Sequence, residues 1–336
     1  MDDGSCYWGA GYIGSHTVLA LLEAGEKIVV LDDLSTGFRW AVMPPAKLIV
    51  GEVGNSALVD EILTQYRIDA IVHFAGKIVV PESITDPLAY YLDNTAKTRS
   101  LLESAIREKV KQFIYSSTAA VYGEATQSPI GERAPLAPVN PYGRSKLASE
   151  WMLQDVSRAH GLKFAILRYF NVAGADPKRR LGQSAAQATH LIKIATQTAI
   201  GLRPRLEIFG TDYPTRDGTC IRDYVQVTDL ADAHVLALNY LRYDSESLIC
   251  NCGCGHGLSV FELVHEMKKV SGIDFDVRIS DRRPGDSVSL VADPACIGSL
   301  LAWKPKWDDL TAIVSQALDW ENRLQQTPDA KHHRAR

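Results

Sequence analysis

Tyr142 and Lys146 are the two residues whose types and spacing could do chemistry most directly. Four positions apart on a helix, they would lie one above the other on a single face. A phenol has an ordinary pKa of about 10, and a neighbouring ammonium favours the phenolate, so the pair could accept a proton near neutral pH. Taken alone, this spacing is also common on exposed helices, so the surrounding sequence has to decide.

A helix is predicted to position this pair. Pro141 suits the first turn of a helix, directly before Tyr142. The apolar positions that follow continue one stripe of helical spacing: Leu147, Ala148, Trp151 and Met152.

The first third of the chain has the pattern of a dinucleotide-binding unit. Gly9-Ala-Gly-Tyr-Ile-Gly14 is a glycine-rich turn, and residues 15–24 follow it with helical apolar spacing. Residues 27–31 form a short apolar strand that ends at Asp32, 18 residues after Gly14. This is near the spacing at which a carboxylate meets an adenosine ribose.

Strands and helices continue to alternate after this unit. The sequence predicts strands at 47–50, 70–74 and 112–115, and helices at 56–66 and 101–109. This alternation indicates an α/β fold with a Rossmann-type, doubly wound parallel sheet, which binds ligands at the carboxyl ends of its strands.

Polar or small residues follow each of these strands. Any one group could be an ordinary turn, but several at one edge of a sheet favour a bound dinucleotide. These candidates are Gly11, Gly14, Asp32, Asp33, Ser35, Thr36, Gly37, Glu52, Val53, Phe74, Ala75, Gly76, Lys77 and Ser116.

The amino terminus departs from this pattern. Residues 2–7 are poor strand formers where an apolar strand is expected before the glycine turn. Trp8 stands where a glycine would let the backbone approach the pyrophosphate, so weakened cofactor binding is expected. One explanation is a lost base, because a one-base shift in a back-translation of residues 3–8 gives Met-Val-Leu-Val-Thr-Gly.

Length and composition limit the classes of function. The 336 residues suffice for two domains, predicted at 1–170 for the dinucleotide and 171–324 for the substrate, with a flexible tail at 325–336. The smaller domain should be mixed α/β, with helices at 188–200, 227–243 and 260–270. With 23% charged residues and a net charge of −4, nothing indicates a nucleic acid partner.

Targeting signals and metal motifs are also not evident. No apolar run reaches the roughly 18 residues of a membrane span, and the first residues do not resemble a secretory signal, so we expect a cytoplasmic protein. Cys250, Cys252 and Cys254 alternate, which is not zinc-site spacing, and Cys6, Cys220 and Cys296 are scattered. No metal site is predicted.

The ordered set of motifs resembles the extended short-chain dehydrogenase/reductase family and, within it, the 4-epimerases of UDP-sugars. The general motifs lie at 9–16, 73–76, 81–83, 116–123, 140–146, 167–175 and 282–286. The run Ile-Phe-Gly-Thr-Asp-Tyr-Pro-Thr-Arg-Asp-Gly-Thr-Cys-Ile-Arg-Asp-Tyr-Val at 208–225 is more particular to the 4-epimerases. The resemblance covers roughly residues 9 to 322.

The resemblance implies an NAD-dependent isomerase. Tyr142 would be the catalytic base and acid, Lys146 would hold the nicotinamide ribose and lower the tyrosine pKa, and Thr118 would hydrogen-bond the sugar 4-oxygen. Further implied cofactor contacts are Tyr12, Ile13, Asp32, Glu52, Val53, Phe74, Asn94 and Phe170. Residue 52 is more often aspartate in the family.

The implied reaction interconverts UDP-glucose and UDP-galactose by oxidation at C4, rotation of the 4-keto sugar and re-reduction, in what is usually a homodimer. Arginines suit a diphosphate, and Arg222 and Arg283 stand in family motifs, with Asp286 placed for a ribose hydroxyl. The other implied substrate positions are Asn171, Leu191, Ile208, Phe209, Tyr224 and Leu290.

Other readings of the motifs stay open. A 4,6-dehydratase usually has Asp-Glu after the Ser/Thr, whereas Ala119 and Ala120 follow Thr118 here, which disfavours it. Epimerases of UDP-N-acetylhexosamines, pentoses or uronates are not excluded, and Leu290, where some members carry tyrosine, leaves room for an N-acetyl group. A catalytically impaired nucleotide-sugar binder is the alternative that Trp8 raises.

Overall fold

Strands and helices alternate through the first half of the computed structural model, which describes residues 4–125, 127–185, 189–243, 246–283 and 285–326. The elements are β1 (Gly4–Trp8), α1 (Tyr12–Glu23), β2 (Ile28–Asp32), β3 (Lys47–Val50), α2 (Ser56–Gln65), β4 (Ile68–His73), α3 (Val80–Thr85), α4 (Pro87–Tyr91), α5 (Lys97–Arg107), β5 (Gln112–Thr118), α6 (Pro141–His160) and β6 (Lys163–Tyr169). Short 3-10 turns lie at Arg39–Ala41 and Ala119–Tyr122, and a π-helical turn at Leu92–Ala96 joins α4 to α5.

The second half mixes shorter strands with helices. Its elements are β7 (Asn171–Ala173), α7 (Leu191–Ala199), β8 (Leu206–Phe209), β9 (Ile221–Gln226), α8 (Val227–Arg242), β10 (Leu248–Cys252), β11 (Gly257–Ser259), α9 (Val260–Ser271), β12 (Val277–Ser280), β13 (Ser289–Leu290), α10 (Ala295–Leu301) and α11 (Leu310–Gln326).

One parallel sheet of seven strands carries the fold, in the order β10-β6-β5-β4-β1-β2-β3. Alternate residues of each strand face opposite layers, as the two-residue period of a strand requires. Val30 and Val72 pack with α1 and α8, whereas Leu31 and Ile71 pack with α2, α5 and α6. The predicted doubly wound Rossmann-type fold is confirmed.

The first strand is a correction to the expectation from the sequence. Residues Gly4–Trp8 form β1, which is parallel to both β2 and β4, with Tyr7 opposite Val30 and Val72. Strand propensity depends strongly on context, and a segment between two strands can satisfy its backbone groups on both sides. The central strand is therefore present despite its unfavourable composition.

The smaller part is built on β9. Strand β9 pairs with β7, β11 and β13, and β8 pairs with β12. Helices α7, α9 and α11 contribute Ile192, Leu263 and Ile313 to a separate apolar core. This agrees with the expectation of a smaller mixed α/β unit. The chain nevertheless returns to the large sheet at β10, which pairs with β6. The predicted domain boundary at residue 170 assigns this strand to the smaller domain.

The last helix reaches further than expected. Helix α11 includes Gln325 and Gln326, so the predicted tail does not begin at residue 325. The rest of that tail, 327–336, lies outside the described residues. Among the helices that are described, none has the length and apolar character to cross a membrane.

Candidate active site

The start of α6 places the predicted catalytic pair. The Asn140 side chain caps the helix, accepting a hydrogen bond of 2.9 Å from the Gly143 N–H, and Pro141 occupies the first turn. Tyr142 is therefore in the first turn and Lys146 one turn further on, as the sequence predicts.

Thr118, at the carboxyl end of β5, meets Tyr142. Its hydroxyl lies near the phenol and accepts a hydrogen bond of 3.1 Å from the Ala120 N–H. The ring of Tyr90 stands edge-on to Tyr142, with centroids 6.4 Å apart and planes at 84°. The Tyr90 hydroxyl donates to the Val79 carbonyl at 2.6 Å, which fixes that ring. The sequence did not indicate Tyr90.

Burial sets the pKa values of the pair. Burial raises the pKa of Tyr142, and the nearby Thr118 hydroxyl opposes the rise. Burial also lowers the pKa of Lys146 to about 7, which the charge of Glu150 opposes. The expected lowering of the Tyr142 pKa is thus not produced by the protein groups alone, because desolvation outweighs the neighbouring groups.

The glycine turn leaves space for a phosphate group. A Cβ on Gly9 would lie 2.6 Å from the Cα of Gly14, so the turn closes only with glycine there. A Cβ on Gly11 would meet no described atom within 4 Å. An open position at the amino terminus of α1 suits a pyrophosphate, because the helix end offers free N–H groups. The residues present therefore fit a dinucleotide.

Asp32 is held at the carboxyl end of β2. Its two oxygens accept hydrogen bonds of 2.8 Å from the Ala10 and Leu34 N–H groups. A Cβ on Gly37 would lie 2.7 Å from Asp32 Oδ1, which explains the glycine. A carboxylate accepts about four hydrogen bonds, so Asp32 retains capacity for ribose hydroxyls.

The neighbouring loop is exposed. Asp33 accepts hydrogen bonds from the backbone N–H and the hydroxyl of Ser35, at 2.8 and 2.6 Å, and Thr36 is exposed beside them. These three predicted cofactor residues thus line the rim of the turn.

Asn94 joins the loop after β4 to α6. Its Oδ1 accepts from the Lys77 N–H at 2.7 Å, and its Nδ2 donates to the Lys77 carbonyl and the Ser145 hydroxyl, both at 3.0 Å. A Cβ on Gly76, whose φ is +152°, would lie 2.6 Å from the Asn94 Oδ1. Asn94 lies in the π-helical turn, a distortion frequent at functional sites. It thereby fixes the distance between the Gly76 loop and Lys146.

Glu52 has a partner that the sequence did not indicate. The Lys97 ammonium forms ion pairs with Glu52 and with Asp93, the latter at 2.5 Å. Lys97 lies on α5, distant in sequence from residue 52, so a local pattern could not reveal the pair. The ammonium holds the carboxylate after β3 in place. The remaining predicted cofactor residues lie near the carboxyl ends of strands, in the loops that follow them or at the start of α1: Tyr12, Ile13, Val53, Phe74, Ala75, Ser116 and Phe170.

The predicted substrate residues fall into two groups. Arg283 stacks over the Phe209 ring at 4.5 Å and its Nε donates to the Asp286 carboxylate at 3.0 Å. Arg222 pairs with Leu290 between β9 and β13. Leu290 packs with Phe170 in one apolar cluster, so this group reaches the cofactor side.

Three further substrate candidates sit deeper. Ile208 and Tyr224 are buried in the core of the smaller part, and Leu191 packs against that core. Asn171 is opposite Tyr224 in the β7–β9 pair. The Ile208 side chain therefore packs in the core, so Ile208 could contact a ligand only through its backbone.

Comparisons with known proteins identify the family of the chain. The model of the NAD dependent epimerase/dehydratase family matches residues 9–253. A UDP-glucose 4-epimerase of Azospirillum brasilense is 53% identical over 319 residues, covering 95% of this chain and 92% of that protein.

The chain belongs to the NAD dependent epimerase/dehydratase family. Solved structures agree: UDP-glucose 4-epimerase from Brucella ovis, in complex with NAD, has a TM-score of 0.92 at 41% identity and covers 95% of this chain and 98% of its own. The UDP-Glc/GlcNAc 4-epimerase of Campylobacter jejuni has a TM-score of 0.83 at 47% identity, with 95% and 100% covered. The family resemblance and the NAD cofactor inferred from the motifs are confirmed. The match to UDP-glucose 4-epimerases over most of the chain identifies the protein as an NAD-dependent isomerase.

Proposed function

We propose that the protein is a UDP-glucose 4-epimerase, which interconverts UDP-glucose and UDP-galactose. The observation that carries the proposal is the placement of Thr118, at the carboxyl end of β5 in a Rossmann-type sheet, near Tyr142 at the start of α6, with Lys146 one helical turn away. The 53% identity to a UDP-glucose 4-epimerase over 95% of the chain supports the choice of substrate.

The chemistry follows from the carbon that has to be inverted. The C4–H bond of a hexose is not acidic, so loss of a proton from carbon cannot invert this centre. NAD, when bound, supplies a reversible acceptor for the hydrogen of C4. Tyr142 removes the proton of the 4-hydroxyl and returns it to the 4-keto sugar after the sugar has presented its other face. Thr118 holds the same oxygen by a hydrogen bond.

The Lys146 ammonium is expected to stabilise the phenolate form of Tyr142. Burial alone raises the pKa of Tyr142, so the phenolate needs a cation in the completed site. Lys146 is 2% exposed and follows on the same helix face. A phenolate beside the ammonium would favour the charged form of each group.

The smaller part anchors the nucleotide. The Arg283 guanidinium offers planar donors to a diphosphate, and Asp286, which it contacts at 3.0 Å, orients it. Arg222 has its Nη1 on the Ile221 carbonyl at 2.8 Å, which leaves donors for a ligand. If the diphosphate is held firmly and the sugar makes few contacts, the 4-keto sugar can rotate between the oxidation step and the reduction step.

Leu290 favours a second substrate class, the UDP-N-acetylhexosamines. This aliphatic side chain lies on β13 beside the Phe170 cluster, where a tyrosine would take up more of the pocket. The 47% identity to the UDP-Glc/GlcNAc 4-epimerase of Campylobacter jejuni supports the broader range.

We also infer a homodimer. The α4 to α6 side of the large sheet exposes apolar side chains, with Leu88 78%, Leu92 55% and Trp151 55% exposed. An apolar face of this kind is typical of a subunit interface. Sedimentation equilibrium should give twice the chain mass, and Trp151→Glu should reduce it to the monomer. A monomeric wild type would contradict the inference.

The setting we propose is galactose metabolism in the cytoplasm. Cys220, Cys250, Cys252, Cys254 and Cys296 are free thiols, as expected in a reducing compartment. The conversion of galactose units into glucose units at the nucleotide level is the step that this chemistry supplies.

Purification and a substrate assay test the function. The protein as isolated should release close to one NAD per chain on denaturation and convert UDP-galactose into UDP-glucose. A folded, NAD-loaded protein that converts neither UDP-galactose nor UDP-N-acetylgalactosamine would contradict the proposal.

A further inference from the structure

We propose that Glu132, Cys250 and Cys296 form a binding site for one sulfur-preferring divalent metal ion, with Zn²⁺ as its representative. One ligand atom from each of the three side chains lies within 4.8 Å of the other two. Cys250 is on β10, Cys296 is in α10 and Glu132 is in the segment before α6.

The distance between the two sulfurs fits a metal better than a disulfide. The Sγ atoms are 3.4 Å apart. Two thiolates on a tetrahedral zinc are about 3.8 Å apart, because each Zn–S bond is about 2.3 Å. A disulfide has its sulfurs only about 2.0 Å apart. Metal binding therefore needs an opening of a few tenths of an ångström, and a disulfide needs a closure more than twice as large.

Glu132 is held in place by a buried network. Its Oε1 accepts from the Asn251 N–H at 2.8 Å, and its backbone carbonyl accepts from Arg168 at 3.3 Å. Arg168 is fixed by its ion pair with Glu150 at 2.6 Å, in which both side chains are buried. The hydrogen bond to Asn251 leaves the second carboxylate oxygen for a metal. A ligating carboxylate that is itself hydrogen-bonded is the usual arrangement in metal sites.

Metal uptake must displace protons. Cys250 and Cys296 are free cysteines, and the thiolate, not the thiol, is the form that binds a metal. The charged and titratable groups facing the pair are Glu132, Cys252 and Asp293. Binding of M²⁺ converts two S–H groups into two metal–thiolate bonds and releases two protons to water, with the Glu132 carboxylate as the third ligand. Affinity therefore increases with pH.

The metal would connect three segments. Cys250 is buried, whereas Cys296 and Glu132 are partly exposed, so an ion reaches the site from their side and keeps a water as fourth ligand. The segment with Glu132 is held next to β13, since the Ile130 N–H donates to the carbonyl of Val291, the residue after that strand, at 2.8 Å. A bound ion would thus fasten the edge strand of the large sheet to α10 and to this segment, and raise the unfolding temperature.

A cobalt titration of the full chain, kept reduced with a phosphine, tests the site. One Co²⁺ per chain should give a sulfur-to-cobalt charge-transfer band, release about two protons and be displaced by Zn²⁺. Cys250→Ala and Cys296→Ala should abolish the band, and Glu132→Gln should weaken binding about tenfold or more. Cys254→Ala removes another buried thiol, whose Sγ lies 3.3 Å from the Tyr224 carbonyl, and should leave the titration unchanged.

Two controls keep the result decisive. His332 and His333 in the sequence could hold cobalt through nitrogen, but that binding gives no sulfur band and persists in Cys296→Ala. Cys296→Ala should retain its NAD and its epimerase activity, which shows that it folds. A reduced wild type without the sulfur band, or a band that survives in Cys296→Ala, would overturn the proposal. So would formation of a Cys250–Cys296 disulfide in a protein whose reduced form takes up no cobalt through sulfur.

Discussion

The Lys146 ammonium lies over the ring of Tyr115, with its nitrogen 4.7 Å from the ring centroid. The ring face attracts the cation, which partly offsets the cost of burying it. Tyr115 is on β5, three residues before Thr118, and faces α6 with the rest of its layer. The strand that supplies Thr118 thus also supports the lysine.

Replacing this lysine should stabilise the NAD-free protein. The pKa of Lys146 is about 7 in the folded state and 10.5 in an exposed chain. Between these values the unfolded chain binds more protons, so the Lys146 contribution to the free energy of unfolding rises with pH. Burying the Lys146 ammonium lowers the free energy of unfolding by its full amount below about pH 7, and this destabilisation decreases to zero towards pH 10.5. Lys146→Met removes the destabilisation.

Urea unfolding at pH 7 and pH 9.5 measures this effect. Lys146→Met should gain up to a few kcal/mol at pH 7, since each pKa unit corresponds to about 1.4 kcal/mol, and the gain should shrink at pH 9.5. Lys111→Met, at an exposed lysine, is the matched control. A gain that is the same at both pH values would contradict the buried, depressed lysine.

Thr118 should contribute to turnover through its hydroxyl. Thr118→Val removes the hydroxyl near Tyr142, and we expect a loss in kcat of about a hundredfold with NAD still bound. Thr118→Ser keeps the hydroxyl and should keep most of the activity. Equal activity of the valine and serine variants would show that the hydroxyl plays no part.

Leu290→Tyr should narrow the substrate range. The larger ring at the β13 position fills space beside the Phe170 cluster. Turnover of UDP-N-acetylgalactosamine should fall about tenfold or more, and turnover of UDP-galactose should change little. Leu290→Ile is the control of similar volume. If the wild type shows no turnover of the acetylated sugar, the broader range is wrong.

The amino-terminal strand should improve with apolar residues. We expect replacement of residues 3–8 by Met-Val-Leu-Val-Thr-Gly to raise the unfolding temperature, because β-branched residues suit a strand between β2 and β4. NAD retention should also rise, and Trp8→Gly alone isolates the effect of the missing glycine. Unchanged stability and NAD content in both variants would contradict the expectation that this segment weakens the fold and cofactor binding. Codons 3 to 9 of the gene decide whether a base was lost.

Local patterns predicted the strands and helices of the first half well. The glycine turn, Asp32 and the Tyr142–Lys146 pair belong to single βα units or to one helix, so spacing alone carries their geometry. Two other features join segments that are distant in sequence: the ion pair of Lys97 with Glu52, and the cluster of Glu132 with two cysteines. The spacing of residues along the chain could not predict either of them. Strand β1 forms against its own propensity because its neighbours supply the backbone partners.

Tyr142→Phe tests directly whether Tyr142 is the catalytic base and acid. The variant loses only the hydroxyl that exchanges the proton with the sugar, and its ring still packs edge-on to Tyr90. It should fold, bind NAD and bind the UDP-sugar, while the conversion of UDP-galactose to UDP-glucose falls by about 10²–10⁴-fold at pH 8. Conversion at the rate of the wild type, with NAD fully bound, would contradict the assignment of Tyr142 as the catalytic base and acid.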